Sequence, residues 1–240
     1  MKLCYLINNN DITIIDDVFV DCRKSTKYYL ESIRNFYCYL TGFDLEVSFY
    51  LDDSIPALSI SQSKKIRFRT FLITLSDVAM YLYFPHEVFH QIIGNEVRFN
   101  GVGRLWMLES FTEYLQLLYI KHVNYKLYIK QILFYMNRYK EYRIYDIPIP
   151  SIDNSTDDQS IKACIESRGI LIFLIFFHKI EDYKIRYLLM HMVSTKNVSL
   201  SIFLELCKEI GVNSQKLYKE INCIGDMEYL KMQISEVINV

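Results

Sequence analysis

Tyr83-Phe84-Pro85-His86-Glu87-Val88-Phe89-His90 is the stretch on which the reading of this chain turns, because it carries His-Glu-x-x-His. On a helix, residues four apart share one face, so His86 and His90 present two imidazoles to one ion. Glu87 lies beside the first of them. It can reach a water at that ion without being a ligand itself. A zinc hydrolase needs this arrangement. Pro85 leaves two versions of the helix open. A helix that begins near Asp77 contains the proline and is kinked by it. A helix that begins at Pro85 uses it as the first helical residue, where its missing N–H costs nothing.

A third ligand lies further along. Eighteen residues separate His90 from Glu109, which sits in Leu105-Trp106-Met107-Leu108-Glu109-Ser110-Phe111-Thr112-Glu113-Tyr114. A second helix crossing the first delivers such a carboxylate. Two His, one Glu and an open position for water make a catalytic zinc set. Glu96 is a rival, six residues after His90, but sites of that type also place Gly three residues after the second His, where this chain has Ile93. The spacing favours Glu109.

The segment from His86 to Tyr114 resembles the metal-binding region of the aminopeptidase N family of gluzincins, which reads H-E-x-x-H-x-x-x-G-N-x-V and then W-L-N-E-G-F-A. Gly94, Asn95, Val97, Trp106, Glu109 and Phe111 are in register with it, while Leu108 and Ser110 depart from it. The resemblance implies a thermolysin-like α+β zincin, with a small N-terminal sheet and helices followed by a mainly helical C-terminal lobe. It implies Zn2+ held by His86, His90 and Glu109, with Glu87 as general base and a peptide as substrate. Asn95 and Glu113 are candidates to orient the ligands from behind. Glu113 follows Glu109 by one helical turn, so the two share a face.

The family also carries a catalytic Tyr in Y-x-K-G downstream of the Glu ligand. The nearest stretch here is Glu166-Ser167-Arg168-Gly169, which puts Glu166 at the Tyr position. An ionised carboxylate cannot donate a hydrogen bond to an oxyanion. Either Glu166 is protonated or another donor, among Tyr142, Tyr145, Arg168 and His178, takes that role. The family's amine-gripping G-x-M-E-N does not precede His86. Gly225-Asp226-Met227-Glu228-Tyr229 is similar to it but reads as a turn and helix start far downstream. The resemblance gives residues 66–75 the part of the strand that borders the cleft and offers its edge to a peptide. The function implied is hydrolysis of peptide bonds, which includes processing of one specific small peptide. The alternative is a zinc-bearing peptide-binding or regulatory protein that has lost hydrolysis, motivated by Glu166, Leu108 and Ser110. His122 and His191 are expected to be ordinary helix residues.

Composition bounds these readings. A chain of 240 residues suffices for one core or two small lobes sharing a cleft. Hydrophobic residues make up 51% and charged ones 23%, which is a globular balance. A net charge of −1 gives no general attraction to nucleic acid. The cysteines (Cys4, Cys22, Cys38, Cys164, Cys207 and Cys223) include no C-x-x-C and read as buried reduced thiols of a cytoplasmic protein. The apolar run 170–177 is too short to span a membrane, and the N-terminal one is too short for a signal-peptide core.

Only 7 Gly and 4 Pro interrupt the chain, so long helices are expected. Strands are predicted at 3–8 and 12–15, joined by an Asn-rich turn at 8–11, and at 45–51 and 66–75. A helix over 19–40 is ended by Thr41-Gly42. Ser76-Asp77 reads as the N-cap of the zinc helix. Further helices are placed near 77–93, 103–121, 124–141, 157–181, 183–194, 199–210, 214–222 and 226–238. Residues 145–156, with Pro148 and Pro150, read as a long surface loop and a divider between lobes. The chain is expected to form one catalytic domain, with 1–100 as the α+β lobe bearing the zinc helix and 101–240 as the helical lobe.

Overall fold

The computed structural model describes the backbone of residues 2–8, 11–14, 23–74, 77–152 and 158–239, and the side chains of 28–72, 81–152 and 158–239. The expected Asn-rich turn, the start of the first helix, Ser76, the side chains of Cys4 and Cys22, and residues 153–156 of the expected loop lie outside these. The chain forms two compact units, Met1–Glu96 and Val97–Val240. Its class is α+β.

The first unit is built on a five-stranded sheet in the order β2-β1-β3-β5-β4. The strands are β1 (Lys2–Asn8), β2 (Asp11–Ile14), β3 (Val47–Leu51), β4 (Ser59–Gln62) and β5 (Lys65–Phe68). β3 and β5 run parallel; the other pairs are antiparallel. Helix α1 (Arg23–Thr41) buries Leu30, Ile33, Phe36, Tyr37 and Leu40, which recur at three- and four-residue spacings. Gly42 ends it at φ 76°, with its N–H donating to the Cys38 carbonyl at 2.9 Å. Glycine accepts that left-handed conformation without a Cβ clash.

The strand expected over 66–75 stops at Phe68, and α2 (Thr70–Thr74) follows it. The reason is local. Asp53 caps the turn by accepting from Thr70 N at 2.8 Å and from Thr70 Oγ1 at 2.8 Å, so the backbone bonds into a helix start rather than a ladder. β5 is also internal, flanked by β3 and β4, so it has no open edge for a peptide. The edge strand on that side is β4, which the sequence reading did not find.

The second unit is helical: α4 (Arg104–Val123), α5 (Tyr125–Tyr142), α6 (Gln159–Phe177), α7 (Asp182–Thr195), α8 (Leu200–Glu209), α9 (Ser214–Asn222) and α10 (Met227–Ile238). A short parallel pair joins β6 (Arg98–Asn100) to β7 (Asn197–Ser199). Polar caps set the helix starts. The side chains of Asn124, Asp158, Ser199, Asn213 and Asp226 each accept from the N–H groups of the first turn.

α6 is the axis of this unit. Its apolar run from Ile170 to Phe177 is almost wholly buried, as expected of a helix covered on every side. Trp106 stacks on Phe173 with ring centroids 4.8 Å apart, and Phe111 does so at 5.2 Å. Gly169 makes this approach possible. A Cβ there would overlap Ser110 Oγ and stand 2.7 Å from Trp106 Cδ1. Gly169→Ala is therefore expected to cost about 1–3 kcal/mol through overpacking, read as a lower urea midpoint at unchanged slope.

Residues 145–152 are not a surface loop. They hold short 3-10 turns, bury Asp146, Ile149 and Ile152, and lie within the second unit rather than dividing the chain. Cys164 and Cys207 are fully buried, whereas Cys38 and Cys223 are half-buried; all are free thiols. Burial, with the Asp146 carboxylate beside it, pushes the Cys164 thiol up to about 12, and burial holds the Cys207 thiol well above its ordinary value. A thiol reagent at pH 8 is thus expected to spare Cys164 and Cys207 in the native protein and to label them on denaturation, which peptide mapping checks. Among the described residues no helix is long and apolar enough to cross a membrane.

Candidate metal centre

α3 (Asp77–Phe89) carries the His-Glu-x-x-His stretch, and Pro85 lies inside it rather than at its start. The helix is fixed by its aromatic residues. Phe84 stacks on Phe68 of β5 at 4.2 Å and on Phe49 of β3 at 5.6 Å. Phe89 meets Phe36 and Tyr37 of α1 at 6.3 and 6.0 Å. Val88 is completely buried between these contacts. His86 and His90 project from another face and are half-buried.

The two imidazoles meet at their Nε2 atoms, 3.0 Å apart, with ring planes at 83°. A tetrahedral zinc bound to both nitrogens would set them about 3.3 Å apart, so a small outward adjustment admits the ion. His90 Nδ1 lies 2.9 Å from the Ile93 carbonyl oxygen. That acceptor keeps the ring proton on Nδ1 and leaves the Nε2 lone pair for a metal. The donor set and this tautomer control fit zinc. The helix ends at Phe89, short of the expected 93, yet His90 N still donates to the His86 carbonyl at 3.1 Å. Asn95 donates from Nδ2 to the His90 carbonyl at 2.8 Å, so it braces the backbone of this residue rather than the ring. Glu96 is exposed, and among the described residues it does not join the two imidazoles.

Glu87 is 6% exposed. Ser59 Oγ donates to its Oε1 at 2.6 Å, and Ser61 Oγ donates to its backbone carbonyl at 3.0 Å. Neither serine was singled out from the sequence, because a four-residue strand between polar turns carries no motif. The Ile93 carbonyl had no signal either, since any residue supplies one.

In the second unit, Glu109 and Glu113 lie on α4 along the half-buried stripe that also holds Leu105 and Leu108. Glu113 accepts a short hydrogen bond from the Tyr135 hydroxyl of α5. Burial first, and then the Glu113 carboxylate, hold the Tyr135 phenol well above its ordinary value. Glu166 on α6 pairs with Arg138 at 3.3 Å. Burial raises its carboxyl foremost; Arg138 pulls it down, and the Glu113 and Glu109 carboxylates push it up again. The net result is a carboxyl raised above its ordinary value.

The other suggested donors are placed differently. Arg168 is buried, with its guanidinium on Asp146 at 2.8 Å, on the Ile147 carbonyl at 3.2 Å, and in short bonds to the Glu220 and Cys223 carbonyls. It is neither a surface charge nor available to an oxyanion. His178 Nδ1 faces the Leu174 and Ile175 carbonyls. Tyr142 is half-buried and Tyr145 exposed, and His122 and His191 are exposed. Gly225 and Asp226 form the turn and cap of α10, as read.

No protein-family model matches the sequence, and no curated protein matches it. Solved structures do. The M1 zinc metallopeptidase of Deinococcus radiodurans superposes with a TM-score of 0.63, 15% identity and 94% of this chain covered. The chain has the fold of an M1 zinc metallopeptidase. A mutant of the same enzyme bound to Tyr-Ser-Ala substrate gives a TM-score of 0.67 at 14% identity, again covering 94% of this chain. Yeast LTA4 hydrolase in complex with bestatin gives 0.65 at 16% identity over 85% of this chain. The chain spans 52% of the length of the Deinococcus proteins and 35% of the yeast one.

Proposed function

We propose that this chain is a zinc-dependent peptidase in which His86, His90 and Glu109 hold the metal and Glu87 is the general base. The observation that carries the reading is the imidazole pair on α3, with its Nε2 atoms 3.0 Å apart and Glu87 buried and hydrogen-bonded beside it. The fold shared with M1 zinc metallopeptidases supports it, as does the eighteen-residue spacing from His90 to Glu109. Each of the three ligand residues offers a half-buried donor atom of a type zinc accepts.

When bound there, zinc supplies Lewis acidity that polarises the scissile carbonyl and acidifies water. Glu87 takes the proton of the attacking water on the oxygen that Ser59 does not occupy and passes it to the leaving amine. Glu166, at the sequence position where the related family has Tyr, can donate to an oxyanion only when its carboxyl is protonated. β4, as the edge strand, offers the substrate backbone a pairing partner, the role that β5 cannot fill.

The test is elemental analysis of the purified protein, followed by mass spectrometry of a mixed peptide library incubated with zinc-loaded and chelator-treated samples. One zinc per chain and cleavage only in the loaded sample are expected. A protein that takes up no zinc, or cleavage that survives full chelation, overturns the reading.

A further inference from the structure

β4 does more than close the sheet on the side of α3. Its residues alternate, so Ser59 and Ser61 share one face, and that face packs on α3. The two hydroxyls act on the same residue at different places. Ser61 Oγ donates to the Glu87 backbone carbonyl and accepts from Gln91 Nε2 at 2.6 Å, and Gln91 in turn is tied to the Gln62 carbonyl at 3.0 Å and to Lys64 N at 2.8 Å. That set locks the strand to the helix. Ser59 makes no such bridge; its hydroxyl goes to the carboxylate itself, at 2.6 Å.

We infer that Ser59 is a positioning residue for Glu87: its hydroxyl holds Oε1 and leaves Oε2 as the one oxygen turned to the reacting water. The inference rests on the peptidase reading above. A carboxylate free to rotate about its last torsion presents either oxygen over a broad range of angles. A short charge-assisted bond from a strand held by β5 in the sheet and by α3 across its face removes that freedom. The group that exchanges the proton is then held before substrate arrives, and misplacement of such a group is felt in the chemical step rather than in binding. Ser61, one pleat away, supplies an internal control: on Glu87 it bonds the backbone carbonyl and not the carboxylate, and its other bonds come from Gln91 and Asn95.

The experiment compares Ser59→Ala, Ser59→Thr and Ser61→Ala with wild type, using the best-cleaved peptide from the library. For Ser59→Ala a fall in kcat of about tenfold is expected, the loss of one hydrogen bond to a charged group, with KM and zinc content unchanged. Ser59→Thr keeps the hydroxyl and is expected to restore most of kcat. Ser61→Ala is expected to lower the melting temperature while leaving kcat within about twofold of wild type. A Ser59→Ala variant with wild-type kcat, or a kcat loss that Thr does not rescue and Ser61→Ala reproduces, overturns the inference and leaves the peptidase reading standing. Absence of turnover by the zinc-loaded wild type overturns both.

Discussion

Glu87→Gln is expected to lower kcat by roughly 100- to 10,000-fold, the range that a well-placed general base contributes, while zinc content and melting temperature stay at wild-type values. Gln has the size and shape of Glu, and its amide oxygen can accept the Ser59 hydrogen bond in place of Oε1. What it lacks is the ability to take up a proton. The substitution therefore separates proton transfer from folding and from metal binding. Turnover is measured on the best-cleaved library peptide, with zinc measured on the same samples. Turnover near the wild-type rate would mean that the base lies elsewhere, and loss of zinc would mean that Glu87 is itself part of the ligand set.

The second large effect concerns stability. Arg168 and Asp146 form an ion pair in which both side chains are 1% exposed. Asp146 also accepts from the Tyr139 hydroxyl at 2.8 Å and from Gly225 N at 2.7 Å. Arg168 further binds the Glu220 and Cys223 carbonyls, at the end of α9. One pair thus ties α5, α6, the end of α9 and the turn before α10. Removing a single partner leaves a buried charge uncompensated. For Arg168→Met the expected loss is about 3–5 kcal/mol, which for a chain of this size lowers the melting temperature by roughly 10 °C. Adding Asp146→Asn to that variant is expected to recover part of the loss, because the stranded carboxylate is then neutral. Calorimetry of the single and double variants checks both statements. A single variant that melts within about 2 °C of wild type would show that the pair does not hold these elements together.

The peptide stretch from His86 to Glu109 shows how unevenly a sequence reports its fold. The helices were legible because their hydrogen bonds run between residues four apart and their starts are marked by local caps. Asp158 caps α6 and Asp226 caps α10 through N–H groups two and three residues on. The pairing of His86 with His90 was legible for the same reason, since helical geometry alone puts those side chains on one face. The strands were less so. Residues 66–75 have strand-like composition, yet Asp53, seventeen residues away, caps a helix start at Thr70 and ends the strand.

By itself the sequence determined the longer helices, though not α2, the imidazole pair with its neighbouring carboxylate, and the spacing to Glu109. Tertiary structure decided which strand is the edge, which atoms hold Glu87 and His90, and that Arg168 is buried. The physical reason is distance along the chain. Ser59 lies 28 residues from Glu87, Asp146 lies 22 from Arg168, and the Cys223 carbonyl lies 55 from it. No local pattern encodes such pairs. They exist because strand pairing and helix packing bring distant polar groups into an interior where each must find a partner.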